Sequence, residues 1–188
     1  MQTTAGGPVY VIGELFASAG AAEYLGEPVT QAAHMLLAAA LAEQAGAAPA
    51  LIAAALLHDV GHCTGAVTGR DLIQGTDNHH GEQGAAWLSQ WFGEEVTEPV
   101  RLHVAAKRYL CAVEPGYLER LSPASLKSLS VQGGPMRAEE VAEFEASPFA
   151  ADACRVRRWD DAAKDPGAPL PPFHHFAPVL SSLARYRG

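Results

Sequence analysis

Apolar residues recur along this chain at helical rather than strand spacing. Long alanine- and leucine-rich stretches contain few runs of β-branched residues, and Pro and Gly interrupt them at intervals that suit helices. The sequence lacks the strict alternation of apolar and polar residues that half-buried strands require. The pattern therefore predicts an all-α protein, built as a helical bundle.

Start and stop signals set the bounds of the predicted helices. Ser or Thr with Pro in the turn that follows is a typical helix start and occurs at Thr97, Ser122 and Ser147, while Thr30 is a further candidate N-cap. A polar, Gly-rich loop is expected between the third and fourth helices. The predicted helices cover about 8–19, 31–46, 49–61, 79–92, 98–111, 123–131, 137–146, 148–164 and 177–186.

Length and composition favour one soluble domain over residues 1–188, with a Pro-rich C-terminal extension from 165 onward. Hydrophobic residues make up 48% of the chain and charged ones 18%, which is too apolar for a disordered protein. No uncharged apolar run approaches the roughly 18 residues that a membrane span needs. The N-terminus also lacks the basic start of a signal peptide. We expect a cytoplasmic protein with no membrane partner.

The distribution of charge narrows the choice of partner. A net charge of −8 argues against nucleic acid. Residues 1–100 contain one basic residue, Arg70, against eleven acidic ones, and the other twelve basic residues follow position 100. Cations concentrated in this way suit a local pocket for a small anion.

Six ligand-type side chains, spread over different predicted helices or helix ends, are the strongest chemical signal. Asp59 follows an apolar run, where an ionised carboxylate is costly unless a cation or hydrogen bonds compensate it. Imidazole and carboxylate without thiolate favour iron, manganese or zinc, and a carboxylate can bridge two ions. The predicted metal ligands are His34, His58, Asp59, His80, His103 and Asp160.

The spacing of these residues resembles a known family signature. His34, the His58-Asp59 pair and a late aspartate look like the H…HD…D signature of the HD-domain superfamily, most of whose members are phosphohydrolases. The additional histidines, His80 and His103, resemble those of its dinuclear branch. The resemblance implies an HD-domain helical bundle with a metal core over about residues 20–165.

Four segments are similar to the PhnZ-type diiron oxygenases, which cleave 1-hydroxyalkylphosphonates. The resemblance implies a mixed-valent Fe2+/Fe3+ pair, dioxygen as co-substrate and an organophosphonate substrate. Cleavage of its carbon–phosphorus bond would give phosphate and a carboxylate, glycine or glycine betaine. The sequence leaves open whether the substrate carries a primary amine or a trimethylammonium group, and also leaves the oligomeric state open. The similar segments are Tyr24–Glu27, His80–Ala85, His103–Leu110 and Arg157–Lys164.

The resemblance also implies roles for individual residues. One iron would be held by His34, His58, Asp59 and Asp160, and the second by Asp59, His80 and His103. His79 remains the alternative to His80, and Asp161 the alternative to Asp160. In the family pattern, Tyr24 sits on the second iron without substrate and moves away together with Glu27, which faces the cationic end of the substrate. The family-matched phosphonate ligands are His62, Lys107, Ser125 and Arg157, with Arg158 in reserve.

Two other functions use the same scaffold. An HD phosphohydrolase would employ nearly the same ligands to activate water against a phosphate ester. A non-catalytic ligand-binding module would be expected to lack ligands. Tyr24 with Glu27, and the segment from Lys107 to Leu110, favour the oxygenase.

Overall fold

A computed structural model of the chain describes residues 7–18, 21–64, 77 and 79–185. These residues form ten α-helices, which confirms the predicted all-α class. One 3-10 turn, Leu118–Arg120, joins two of them. The helices are α1 (Pro8–Phe16), α2 (Gln31–Gln44), α3 (Pro49–Leu57), α4 (Gly61–Thr64), α5 (His80–Leu88), α6 (Glu94–Val113), α7 (Pro123–Val131), α8 (Ala138–Glu145), α9 (Ala150–Ala162) and α10 (Phe173–Leu183).

The first helices of the core begin where the sequence predicts. The Thr30 side chain accepts a hydrogen bond from the Ala33 backbone N–H at 3.2 Å and caps α2. Pro49 occupies the first turn of α3, where its missing N–H is harmless. Every residue of α3 from Leu51 to Leu57 is buried. An all-apolar helix of this kind can only lie in the middle of the core, against α2, α6, α9 and α10.

The predicted start of α6 at residue 98 is wrong. The helix begins at Glu94, so Pro99 lies inside it. Glu94 and Glu95 in the first turn favour the earlier start because carboxylates stabilise the positive end of the helix dipole. Thr97 is not a cap: its hydroxyl donates to the Gly93 carbonyl at 3.3 Å, within the helix. The helix therefore tolerates one missing backbone hydrogen bond at Pro99 and reaches 20 residues.

Smaller differences affect four other helices. Helix α5 ends at Leu88 instead of near Phe92. The third helix ends at Leu57 instead of Gly61, and the chain makes a turn before the short α4. Helix α9 starts at Ala150 because Ser147 closes a local turn, in which its hydroxyl accepts from the Phe149 N–H at 3.3 Å. The last helix starts earlier than predicted, at Phe173. The predicted ends at Ala19 and Tyr186, and most of the Gly-rich loop, lie outside the described residues.

The other helices pack around α3 and against one another. Helices α2, α3, α6 and α9 pack together, α5 lies on α6, and α4 lies on α5. Glycines permit the last contact: a Cβ on Gly61 would lie 2.0 Å from the His80 carbonyl oxygen. Helix α10 packs on α3, and α1 packs on α10. Among the helices of the described ranges, none has both the length and the apolar composition of a membrane span.

Candidate metal and anion site

The structure brings all six predicted metal ligands together in the interior. Helix α2 supplies one, the turn after α3 two, α5 and α6 one each, and α9 one. Each is less than 9% exposed, although all six are polar. Buried polar side chains of this density need partners that satisfy them. The six are His34, His58, Asp59, His80, His103 and Asp160.

Three of the four histidines have their tautomer fixed by the backbone. The Nδ1–H groups of His34, His58 and His103 donate to the carbonyl oxygens of residues 163, 55 and 100, at 2.9, 2.8 and 2.7 Å. A carbonyl can only accept, so in the neutral ring the proton lies on Nδ1 and the lone pair on Nε2. Metal-binding histidines are typically oriented in this way. All three Nε2 atoms point to the interior of the cluster.

The two oxygens of Asp59 divide the histidines into two sets. Oδ2 lies 3.7 Å from His34 Nε2 and 3.5 Å from His58 Nε2. Oδ1 lies 3.5 Å from His80 Nε2 and 3.4 Å from His103 Nε2. Within each set the Nε2 atoms are close together, 3.2 Å apart in the first and 3.0 Å in the second. The carboxylate therefore stands between two pairs of imidazoles.

The adjacent aspartates on α9 point to different surroundings. Asp160 Oδ1 lies 3.1 Å from His34 Nε2 and belongs to the first set. Asp161 instead accepts hydrogen bonds from the Tyr117 hydroxyl and the Arg157 guanidinium. Consecutive helical side chains diverge by about 100°, and this turns the Asp161 carboxylate away from the imidazoles. The geometry places Asp160, not Asp161, among the imidazoles.

The neighbouring histidines are separated in the same way. His79 has a positive φ of 47°, and its side chain, 68% exposed, lies beside Asp77. His80 starts α5 and is buried in the cluster. His62 stacks on the His80 ring with centroids 3.9 Å apart, and its Nε2 lies 3.9 Å from Asp59 Oδ1. His103 Nε2 is closer to that oxygen and is oriented by the backbone, which makes it the better second ligand beside His80.

The electrostatics of the cluster favour a bound cation. Burial opposes ionisation of Asp59 and Asp160, yet the histidines around the first and Arg157 beside the second hold the pKa of each well below its usual range. Burial lowers the pKa of His58 to about 4. For His34, the effect of burial is outweighed by Asp160 and Asp59, which raise its pKa. Asp59 and Asp160 thus remain ionised in the interior, and a metal ion would supply further compensating positive charge.

The spacing of the donor atoms fits metal ions. Two ligands at right angles, each about 2.1 Å from one ion, are about 3.0 Å apart. The Nε2 pairs at 3.2 and 3.0 Å match that separation. Two groups of three donors lie close enough to hold an ion, and Asp59 belongs to both of them. His34 and His58 complete the first group, His62 and His80 the second. The donors are nitrogen and oxygen without thiolate, which suits iron, manganese or zinc.

A cavity of about 290 Å³ opens beside the cluster. Its walls combine the metal-ligand side chains with cations from α6, α9 and the segment after α9, and with the polar face of α7. The residues that line it are Leu25, Gly26, Glu27, Val29, Gln31, His34, Asp59, His62, His80, His103, Val104, Lys107, Pro123, Ala124, Ser125, Lys127, Ser128, Gln132, Arg157, Asp160 and Lys164.

The predicted phosphonate ligands all line this cavity. Arg157 and Lys107 are buried at 4% and 2% exposure. Arg157 Nη2 donates to Ser125 Oγ at 3.3 Å, and Lys107 Nζ donates to Ser128 Oγ at 2.7 Å and Gln132 Oε1 at 2.5 Å. Burial and the nearby Arg157 lower the pKa of Lys107 to about 7. A bound anion would offset the repulsion between these two buried cations.

The remaining predicted residues lie in different places. Glu27 lines the cavity and is paired with Lys164. Tyr24 is 64% exposed and is not among the cavity-lining residues, so its role on the second metal stays a prediction. Arg158, the reserve phosphonate ligand, extends away from the cavity and pairs with Glu114 at 2.5 Å.

Four polar residues that contact the predicted site residues were given no role from the sequence. Gln31 Nε2 donates to Asp59 Oδ2 at 3.3 Å and so orients the central carboxylate. Its position one helical turn before His34 was the available signal. Ser128, Gln132 and Lys164 gave no comparable signal, because their contacts are made between distant segments.

Comparison with known proteins agrees with this geometry. Residues 32–131 match the HD domain family. Over 178 residues, covering 95% of this chain and 91% of the relative, the sequence is 48% identical to 1-hydroxy-2-(trimethylamino)ethylphosphonate dioxygenase (glycine-betaine-forming) of Leisingera caerulea. It is 42% identical to hydroxymethylphosphonate dioxygenase of Gimesia maris over 187 residues, covering 99% of this chain and 92% of the relative. The chain belongs to the HD-domain family, as its H…HD…D signature predicts, and these PhnZ-type phosphonate dioxygenases are its relatives within that family.

Proposed function

We propose that the chain is a diiron dioxygenase that cleaves the carbon–phosphorus bond of a 1-hydroxyphosphonate. The observation that carries the proposal is the Asp59 carboxylate, placed between two imidazole pairs at the wall of a cationic cavity. The two phosphonate dioxygenases at 48% and 42% identity support it. The proposed substrate is 1-hydroxy-2-aminoethylphosphonate or its N-trimethyl analogue, with glycine or glycine betaine as product.

The overall reaction is balanced with dioxygen as the only co-substrate. R–CH(OH)–PO₃²⁻ and O₂ give R–COO⁻, HPO₄²⁻ and one proton. The carbon–phosphorus bond breaks, the carbinol carbon is oxidised to a carboxylate, and dioxygen is reduced. One new oxygen ends on carbon and one on phosphorus. A phosphohydrolase would instead take its oxygen from water.

Two iron ions fit the donors described above. His34, His58, Asp59 and Asp160 would hold one, and Asp59, His80 and His103 the other. When bound, the irons supply dioxygen activation and Lewis acidity toward the substrate hydroxyl. The contribution of the protein is to fix the ligands before the metal arrives: the backbone carbonyls hold three imidazoles, and Gln31 holds Asp59.

The phosphonate group is proposed to lie against Arg157, Lys107, Ser125 and His62. Arg157 presents a planar fork of N–H donors that suits phosphonate oxygens, and Lys107 adds a point charge. The burial of both side chains strengthens their attraction for a dianion, because water screens them little. These contacts orient the carbinol carbon toward the metal ligands and neutralise the developing phosphate.

Glu27 is proposed to face the cationic end of the substrate. It lies in the loop before α2 and lines the same cavity as the phosphonate ligands. The family pattern also assigns Tyr24 to the second metal before substrate binds, and its position on the same loop would let the two residues move together.

A turnover assay tests the proposal. The protein is loaded with iron anaerobically, and oxygen consumption and phosphate release are followed with hydroxymethylphosphonate, 1-hydroxy-2-aminoethylphosphonate and its trimethylammonio analogue. Equal amounts of oxygen consumed and phosphate released with one of the two cationic substrates are expected. Phosphate release from phosphate monoesters without oxygen consumption would identify a phosphohydrolase and contradict the proposal.

A further inference from the structure

The carboxylate proposed to receive the substrate cation already has a cation beside it. Lys164 Nζ donates to Glu27 Oε1 at 2.7 Å, and Ser122 Oγ donates to the same oxygen at 2.6 Å. Lys164 Nζ also donates to Ser122 Oγ at 3.1 Å and to Ser125 Oγ at 2.9 Å. Lys164 is therefore fixed in the cavity wall, between the carboxylate end and the phosphonate end.

The partners of this pair come from three segments that pack against one another. Ser122 caps α7 by accepting from the Ser125 backbone N–H at 3.1 Å. Gly26 has a φ of +82°, and a Cβ on it would lie 3.3 Å from the Ala124 Cβ, so only glycine suits this turn against α7. Lys164 directly follows the end of α9. The packing of these segments thus brings Lys164 and Glu27 together in the cavity wall.

The ion pair of Lys164 and Glu27 is largely shielded from water. The Lys164 side chain is 15% exposed and the Glu27 side chain 18%. Water screens such a pair less than an exposed one, and removing one partner leaves a poorly solvated charge. A cationic head group that approaches Glu27 must therefore compete with Lys164 for the carboxylate. A substrate without a cation can bind while the pair stays intact.

We propose that Lys164 is a specificity-determining residue, the internal counter-ion of Glu27 that competes with a cationic substrate for the carboxylate. The inference rests on the proposed function for its choice of ligand class. Lys164 reduces the gain in affinity that Glu27 gives to cationic phosphonates. It also lets phosphonates without an amine bind in the cavity. The names of the two relatives include one substrate of each kind.

The test measures binding selectivity without turnover. Titration calorimetry on the iron-loaded, anaerobic protein gives Kd for 2-aminoethylphosphonate and for propylphosphonate, in which a methyl group replaces the ammonium. The selectivity is Kd of propylphosphonate divided by Kd of 2-aminoethylphosphonate. Lys164→Met is expected to raise this selectivity about tenfold by releasing Glu27, as expected for loss of a competing, partly buried ion pair. Lys164→Gln, which keeps a hydrogen-bond donor toward Ser122 and Ser125, is the second variant should the methionine destabilise the fold.

Two controls make the result specific. In a Glu27→Gln background, Lys164→Met should change the selectivity by less than about twofold, because no carboxylate remains to be released. Lys127→Met removes an exposed lysine from the cavity rim and should leave the ratio similarly unchanged.

Unchanged or lower selectivity in both Lys164 variants would overturn the inference, and so would a wild type that binds neither phosphonate. Turnover with unchanged selectivity would refute this inference alone. A selectivity change without oxygen-dependent turnover would refute the proposed function alone.

Discussion

Arg157 joins the metal-ligand cluster to the anion cavity through Asp160. Arg157 Nη1 lies 2.6 Å from Asp160 Oδ2, while Asp160 Oδ1 lies 3.1 Å from His34 Nε2. The other terminal nitrogen of Arg157 contacts Asp161 and Ser125. The guanidinium is therefore held by two carboxylates. Asp160 belongs to the metal-ligand cluster, and Asp161 lies outside it. Changes in metal binding and in phosphonate binding should be coupled through this side chain.

The two aspartates of α9 should differ when each is replaced by asparagine. Asp160→Asn removes a charged ligand from the first metal set and is expected to lower bound iron from two ions per chain to about one or fewer. Asp161→Asn should retain both ions and raise KM for the phosphonate about tenfold, because it loosens Arg157. Iron content by elemental analysis and steady-state kinetics on the same preparations would show this. Metal loss in the Asp161 variant with normal content in the Asp160 variant would reverse the assignment.

Lys107 should make stability depend on pH. Its folded pKa of about 7 lies below the ordinary 10.5, because burial and Arg157 disfavour the ammonium. Between these values the unfolded chain binds more protons than the folded one, so this lysine makes the free energy of unfolding rise with pH. Below pH 7 both states are protonated and the full penalty of the buried charge remains. The stability of Lys107→Met relative to wild type should therefore be greatest near pH 6.5 and fall by more than about 1 kcal/mol by pH 9.

Urea denaturation of both proteins at the two pH values measures this difference. The hydroxyl of Ser128 and the amide of Gln132 lose a partner in the variant at either pH, so that cost cancels in the comparison. Lys127→Met, which removes an exposed lysine, controls for the loss of a positive charge. A difference between variant and wild type that does not change with pH would show that the Lys107 ammonium carries no burial penalty.

Gly61 should be essential for the approach of α4 to α5. A Cβ there would lie 2.0 Å from the His80 carbonyl oxygen, which is backbone and cannot move alone. Gly61→Ala is expected to destabilise the protein by about 3 kcal/mol or more and to reduce metal binding, because His80 must shift away from Asp59. Gly46 is the matched control: it has a φ of +66° and open space around it. Gly46→Ala should cost about 1–2 kcal/mol and leave the iron content unchanged. Equal effects of the two substitutions on metal content would contradict the packing argument.

Local signals predicted most of the helices. The Thr30 cap, Pro49 and the Ser122-Pro123 start act within a few residues, and each begins a helix where expected. The start of α6 was missed because Pro99 is usually a first-turn residue, whereas the acidic pair at the start of this helix outweighs it.

The site was only partly predictable from the sequence. Residue type and spacing selected the imidazoles and carboxylates that the structure brings together, but they left His79 and Asp161 open as alternatives. The contacts of Lys164 with Glu27 and of Gln132 with Lys107 join segments 137 and 25 residues apart. Such contacts follow from the packing of helices and leave no periodicity in the sequence. The separation of Asp160 from Asp161 likewise required the orientation of α9.

Isotope labelling is the most direct test of the central claim. The iron-loaded protein turns over 1-hydroxy-2-aminoethylphosphonate, or its trimethylammonio analogue, under ¹⁸O₂ in unlabelled water, and both products are analysed by mass spectrometry. The account predicts one ¹⁸O atom in the carboxylate and one in the phosphate, since carbon and phosphorus each gain one oxygen from dioxygen. Unlabelled phosphate would contradict it, since the new oxygen on phosphorus would then come from water.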